Sequence, residues 1–91
     1  MVALLVLFSV IAMAVPSGFY KNSAGRGVLI SGNEFNVCNK NGEVVVRWEI
    51  VGESNGELTL RASTGVTAKA SWWKENGKIY LNWNYDTYVH D

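Results

Sequence analysis

Hydrophobic positions follow two regimes along the chain. Met1 to Val15 is apolar except for Ser9. From Pro16-Ser17-Gly18 onward, polar residues break the apolar runs at short intervals, and apolar positions recur at every second residue. A period of two is the signature of a strand with one face buried. Turn residues punctuate the pattern regularly. Asn41-Gly42, Asn55-Gly56 and Asn76-Gly77 are Asn-Gly pairs, and Ala24-Gly25, Gly32-Asn33 and Thr64-Gly65 supply three further turns. Asn and Gly tolerate the positive φ that tight hairpins require. No stretch beyond Val15 holds helical periodicity over ten residues. The pattern predicts an all-β domain, an antiparallel up-and-down meander of 7–8 short strands.

Each turn fixes which residues face each other, so the strands can be checked for parity. A two-residue loop at Asn41-Gly42 sets Lys40 against Glu43, Asn36 against Arg47, Val37 against Val46 and Phe35 against Trp48. A three-residue loop at Ser54-Asn55-Gly56 sets Ile50 against Leu60 and Glu49 against Arg61. Ser63-Thr64-Gly65 sets Leu60 against Ala68 and Leu58 against Ala70. Asn76-Gly77 sets Trp72 against Leu81 and Trp73 against Tyr80. Gly32-Asn33 sets Ile30 against Phe35. All five turns place one apolar set on one face. That face comprises Val28, Ile30, Phe35, Val37, Val44, Val46, Trp48, Ile50, Leu58, Leu60, Ala62, Val66, Ala68, Ala70, Trp72, Ile79, Leu81 and Trp83. Tyr20 and Val89 join it if the end strands keep the parity. A flat sheet cannot cover its own face, so it closes into a small barrel or folds over as a sandwich.

The leader changes the picture of compartment. Ala12-Met13-Ala14 fits the small-x-small pattern of a signal-peptidase site, which points to cleavage after Ala14 and export. No Lys or Arg precedes the apolar run, which departs from the usual signal. The rival reading is a retained membrane anchor. A helix of fifteen residues spans only ~22 Å against a hydrocarbon core of ~30 Å, and Pro16 and Gly18 end it. The expected organisation is a short hydrophobic helix over 1–14, signal or anchor, and a single β-domain over 15–91. The expected location is secreted or periplasmic, or membrane-anchored if the leader stays.

Formal net charge is zero, with 8 Lys+Arg and 8 Asp+Glu, so no basic face invites nucleic acid. Cys38 is the single cysteine. It cannot close an intramolecular disulfide, which leaves a monomer or a Cys38-linked dimer.

Several short segments resemble the lipocalin-like (calycin-type) β-domains of secreted and envelope proteins in bacteria. They are Gly18-Phe19-Tyr20, Leu29 with Phe35, Asn41-Gly42, Leu58-Thr59-Leu60 and Tyr88-Val89-His90. The resemblance spans most of residues 18–90. It implies a binding or structural role in the envelope and no particular ligand. Many such domains are lipoproteins, and this chain lacks the lipidated cysteine.

Chemistry is sparse. His90 is the only histidine and sits next to the end of the sequence, where fixed catalytic geometry is hard to hold. Cys38 falls on the outer face opposite Val45 with no base to activate it. Glu34 and Glu49 face each other on the outer surface, with Arg47 and Arg61 close enough to neutralise them. These features predict no enzyme, no metal and no cofactor. The aromatic residues carry more information. Trp73 faces Tyr80, and a three-residue turn at Asn84-Tyr85-Asp86 would put Tyr80 opposite His90 and Asn82 opposite Tyr88. Trp73, Tyr80, Asn82, Tyr88 and His90 then form an exposed strip that could stack on sugar rings or anchor a protein.

The expected function is a secreted or envelope-associated, non-enzymatic binding module that meets a protein or carbohydrate partner through that strip. One alternative is a carrier of a small apolar ligand inside the barrel, which Ala62, Ala68 and Ala70 leave room for. Another is a membrane-anchored accessory or exclusion-type subunit, the only reading with membrane contact.

Overall fold

The computed structural model describes residues 14–91; the expected leader helix lies outside them, apart from Ala14, which is exposed and not helical. Eight strands follow one another: β1 Gly18–Lys21, β2 Gly27–Ser31, β3 Glu34–Cys38, β4 Val44–Ser54, β5 Glu57–Arg61, β6 Thr67–Glu75, β7 Lys78–Trp83 and β8 Asp86–His90. Each pairs antiparallel with the next, and β8 returns to β1 through Tyr20↔His90 and Lys21↔Val89. The meander is therefore a closed barrel rather than a sandwich, and closure removes the sheet edges that would otherwise pair with other chains.

The core follows the period-two pattern. Tyr20, Val28, Ile30, Phe35, Leu58, Leu60 and Leu81 are fully buried, and Trp48, Trp72, Ile79 and Trp83 pack against them. Phe35 and Trp48 each meet the Trp83 ring edge-on, at 5.1 and 5.5 Å between centroids. Four large rings thus crowd the axis, since Tyr20 enters from β1. Burying each aliphatic side chain of this set contributes about 1.5–3 kcal/mol.

Loop lengths differ from the sequence-based expectation at three turns. At the β3–β4 turn, Asn39 rather than Lys40 pairs with Glu43, its N–H donating to the Glu43 carbonyl at 2.9 Å. The Asn39 side-chain oxygen accepts from the Asn41 and Glu43 N–H groups, which stabilises a three-residue loop of Lys40, Asn41 and Gly42. A bulge then sets Cys38 against Val44, not Val45, and restores Val37↔Val46 and Phe35↔Trp48 as expected. At β4–β5 the loop is two residues, Asn55-Gly56. Ser54 pairs with Glu57, Glu53 with Leu58, and a bulge between Ile50 and Gly52 restores Ile50↔Leu60 and Glu49↔Arg61. At β4–β5 the bulge's extra residue makes up for the shorter loop, and at β3–β4 the bulge on β4 matches the residue that the longer loop takes from β3.

No bulge compensates at β7–β8. The loop is Asn84-Tyr85 with φ of 53° and 65°, so Trp83 pairs with Asp86, Leu81 with Tyr88 and Tyr80 with Val89. The last strand is inverted relative to the expectation. Tyr88 enters the core, while Val89 faces out beside Tyr80. Val46 and Val66, expected inside, are 42% and 58% exposed. They lie where the β3–β4 and β5–β6 hairpins run past Glu49↔Arg61, the last β4–β5 pair on that side. Val44 shares a face with Cys38 for the same reason as the bulge.

Candidate functional site

The outer surface over β6–β8 holds the most distinctive group of side chains. Trp73 and Tyr80 are cross-strand partners. Their rings stack at 5.4 Å between centroids and 15° between planes, within the range of a favourable offset pair. Trp73 remains 38% exposed. Val89 continues this row onto β8, and Ser71, Asn82 and Thr87 form the next row, one pleat repeat or about 7 Å along the strands.

The β6–β7 ladder ends at Ser71↔Asn82, whereas β6 extends back to Thr67. The strands part there, and a groove of roughly 390 Å³ opens between them. Ala68, Ala70 and Trp83 give it an apolar floor, and Ser71 and Asn82 give it polar walls. Lys69 and Glu57 border it and pair at 3.5 Å across β5–β6. Both are well exposed, so this ion pair contributes little to stability.

Tyr85 lines the far end of the groove and is 103% exposed, as open as an isolated residue. It occupies the second position of a tight hairpin turn, where the chain needs positive φ and Gly is the usual choice. The other two-residue loops of this kind, Asn55-Gly56 and Asn76-Gly77, use Gly. A bulky residue in that conformation costs of order 1–3 kcal/mol. An aromatic side chain held there without packing contributes nothing to the fold that offsets this cost.

Three of the five expected residues thus share one surface: Trp73, Tyr80 and Asn82. Tyr88 and His90 do not belong to it, because the shorter β7–β8 loop turns both inward. Tyr88 is buried, and burial first, then the negative charge of Asp86, raises its hydroxyl pKa, with Arg26 acting the other way. His90 packs edge-on against Tyr20 at 4.7 Å. Its Nε2 lies 2.9 Å from the Ser17 carbonyl and its Nδ1 2.7 Å from that of Asp91. It clasps the Ser17 and Asp91 segments to the barrel. Tyr85 is the residue that sequence reasoning missed. The available signal was an aromatic residue following Asn where the other turns carry Gly.

The remaining candidates fall into ordinary roles. Glu34 and Glu49 are cross-strand partners as expected. Glu49 pairs with Arg61 at 3.6 Å, and Glu34 accepts from Asn36 at 3.4 Å, in a solvated cluster beside a second open groove. Cys38 is buried, its thiol 3.6 Å from the Asn36 carbonyl. It sits next to Gly27, where the Phe19 ring occupies the space a side chain would fill. A disulfide to a second chain needs this thiol uncovered. Among the described residues, no group of three His, Cys, Asp or Glu side chains is placed to hold a metal ion. No family model, no curated protein and no solved structure matches the chain.

Proposed function

We propose that the chain is a non-enzymatic binding module, secreted or held in the envelope, whose partner lies along the β6–β7 groove. The carrying observation is the placement of aromatic rings about an open, polar-walled groove: Tyr85 lines one end of it, and the Trp73–Tyr80 stack lies one row beyond the Ser71–Asn82 pair that borders it. An extended carbohydrate fits this chemistry best. Ring faces take the C–H face of a sugar, and the Asn82 amide with the Ser71 hydroxyl can exchange hydrogen bonds with sugar hydroxyls. The crowding of the axis by Tyr20, Phe35, Trp48 and Trp83 favours an outer surface over an inner ligand.

The test is a soluble-glycan array followed by calorimetry on any hit. Trp73→Ala, Tyr80→Ala and Tyr85→Ala should each weaken binding about tenfold or more, equivalent to about 1.4 kcal/mol. Val45→Ala, on the far side of the barrel, should leave it unchanged. Folded Trp73 and Tyr85 variants that bind as well as the parent would refute the reading.

A further inference from the structure

We infer that Val15 is the amino-terminal residue of the working protein, and that its α-ammonium group forms an ion pair with Glu53 inside one end of the barrel. This start rests on the leader being a cleaved signal and is independent of the proposed groove.

In an unbroken β4–β5 ladder the Glu53 side chain would face solvent. The bulge between Ile50 and Gly52 sets it opposite Leu58, a fully buried residue, and so aims it inward. Bulges re-aim side chains in this way at sites with a use for them. Glu53 is half-buried at this end of the barrel, and a carboxylate partly withdrawn from water gains from hydrogen bonds and from a balancing charge. The hydrogen bonds are present: Glu53 Oε2 accepts from the Trp72 indole N–H at 2.7 Å, and Oε1 accepts from the Val15 N–H at 3.2 Å. The atom facing Oε1 is thus the backbone nitrogen of Val15, which in the uncleaved chain is a neutral amide.

Among the described residues, burial begins at Val15. Ala14 is exposed, whereas Val15 is 6% exposed and belongs to the core. The next residues are fixed as firmly. The Tyr20 hydroxyl donates to the Pro16 carbonyl at 2.6 Å, the Ser17 carbonyl meets His90, and the Gly32 N–H donates to Ser17 Oγ at 3.3 Å. Chain ends usually fray; this segment is held at three consecutive residues. The Ala12-x-Ala14 pattern stops one residue before the seat. Hydrolysis of the Ala14–Val15 bond by a signal endopeptidase puts the oxygen of water on the Ala14 carbonyl as a carboxylate. The nitrogen stays on Val15 as an amine, protonated at neutral pH, 3.2 Å from the waiting carboxylate oxygen. Cleavage supplies the missing charge.

The experiment is to express the full chain in a Gram-negative bacterium, recover it from the periplasm or medium, and determine its intact mass and first residue. A chain beginning at Val15 with an unmodified amine is expected. A retained leader, or a start at any other residue, overturns the inference. The recovered protein is then treated with acetic anhydride at neutral pH. The Val15 amine should react about tenfold more slowly than in Glu53→Gln, because pairing holds it protonated; equal rates overturn the ion pair. If Glu53→Gln does not fold, native protein is compared with protein in urea. A native Val15 amine that reacts as fast as the unfolded one overturns the pair equally.

Discussion

Tyr20 joins the first strand to both ends of the described chain. Its ring is fully buried and packs edge-on against His90, and its hydroxyl holds the Pro16 carbonyl. Burial pushes its pKa up to about 12, which makes a stability prediction with a definite sign. Between pH 10 and 12 the unfolded chain releases this proton and the folded chain keeps it. The stabilisation is therefore complete below about pH 10 and is lost as pH rises toward 12. Ultraviolet difference titration of wild type against Tyr20→Phe should show one phenol ionising near pH 12 or only on unfolding. Tyr85 makes the opposite case. With a positive φ and no packing, Tyr85→Gly should raise stability by about 0.5–1 kcal/mol, read from urea midpoints. The same substitution should weaken glycan binding. A variant that is both more stable and fully active would mean that Tyr85 has no part in recognition.

At the scale of the hairpin, the faces were legible wherever parity survived. Strand existence and the β1–β7 core follow from alternation and from Asn-Gly chemistry, and Phe35↔Trp48, Leu60↔Ala68 and Trp72↔Leu81 pair as expected. Two loops differ by one residue from the expected length without cost, because a bulge at Val45 or Val51 absorbs the difference. Alternation alone cannot separate a loop residue from a bulge residue; both shift the count by one. The β7–β8 turn has no bulge, so the same one-residue error there inverts Tyr88, Val89 and His90. The turn also breaks the rule used to find the others, since its second residue is Tyr85 instead of Gly. Tyr85 was hidden for this reason, and Tyr88 and His90 were placed on the wrong face. Glu53 was hidden by the bulge that aims it. Asn22 shows how much one such loop contributes. Its side-chain oxygen accepts from the Ala24 and Arg26 N–H groups, and its amide donates to Asp86 at 2.7 Å, tying the β1–β2 loop to β8. Asn22→Ala should cost about 1–3 kcal/mol, visible as a lower midpoint in thermal melting. A loss below about 0.5 kcal/mol, the range of an ordinary surface substitution, would show that the tie does not matter.

The whole molecule depends on closure. Each strand has two neighbours, and the seam between β8 and β1 is the shortest, with two residue pairs. A domain of this size is stable by roughly 4–12 kcal/mol, and Leu81→Ala, which empties a fully buried position, should remove about 2–5 kcal/mol of it. Equilibrium unfolding in urea should show this as a large fall in midpoint with the slope retained; a small change would mean that the barrel collapses around the gap. The sequence points to a small barrel or a sandwich without deciding between them, and the structure has the barrel. Parity shows which face is buried but not how far the sheet curls, and the β1–β8 pairing has no turn to announce it.

The up-and-down course also gives the barrel two unlike ends. Val15 and Asp91 both lie at the end that carries Gly32-Asn33, Asn55-Gly56 and Asn76-Gly77, and Asp91 bonds back to Phe19 there. Tyr85 and the three-residue loops stand at the other end. The molecule is therefore polar in the directional sense, like a lamp on a stem. Any surface that holds the molecule by the end bearing Val15 and Asp91 turns Tyr85 and the mouth of the groove away from the point of attachment.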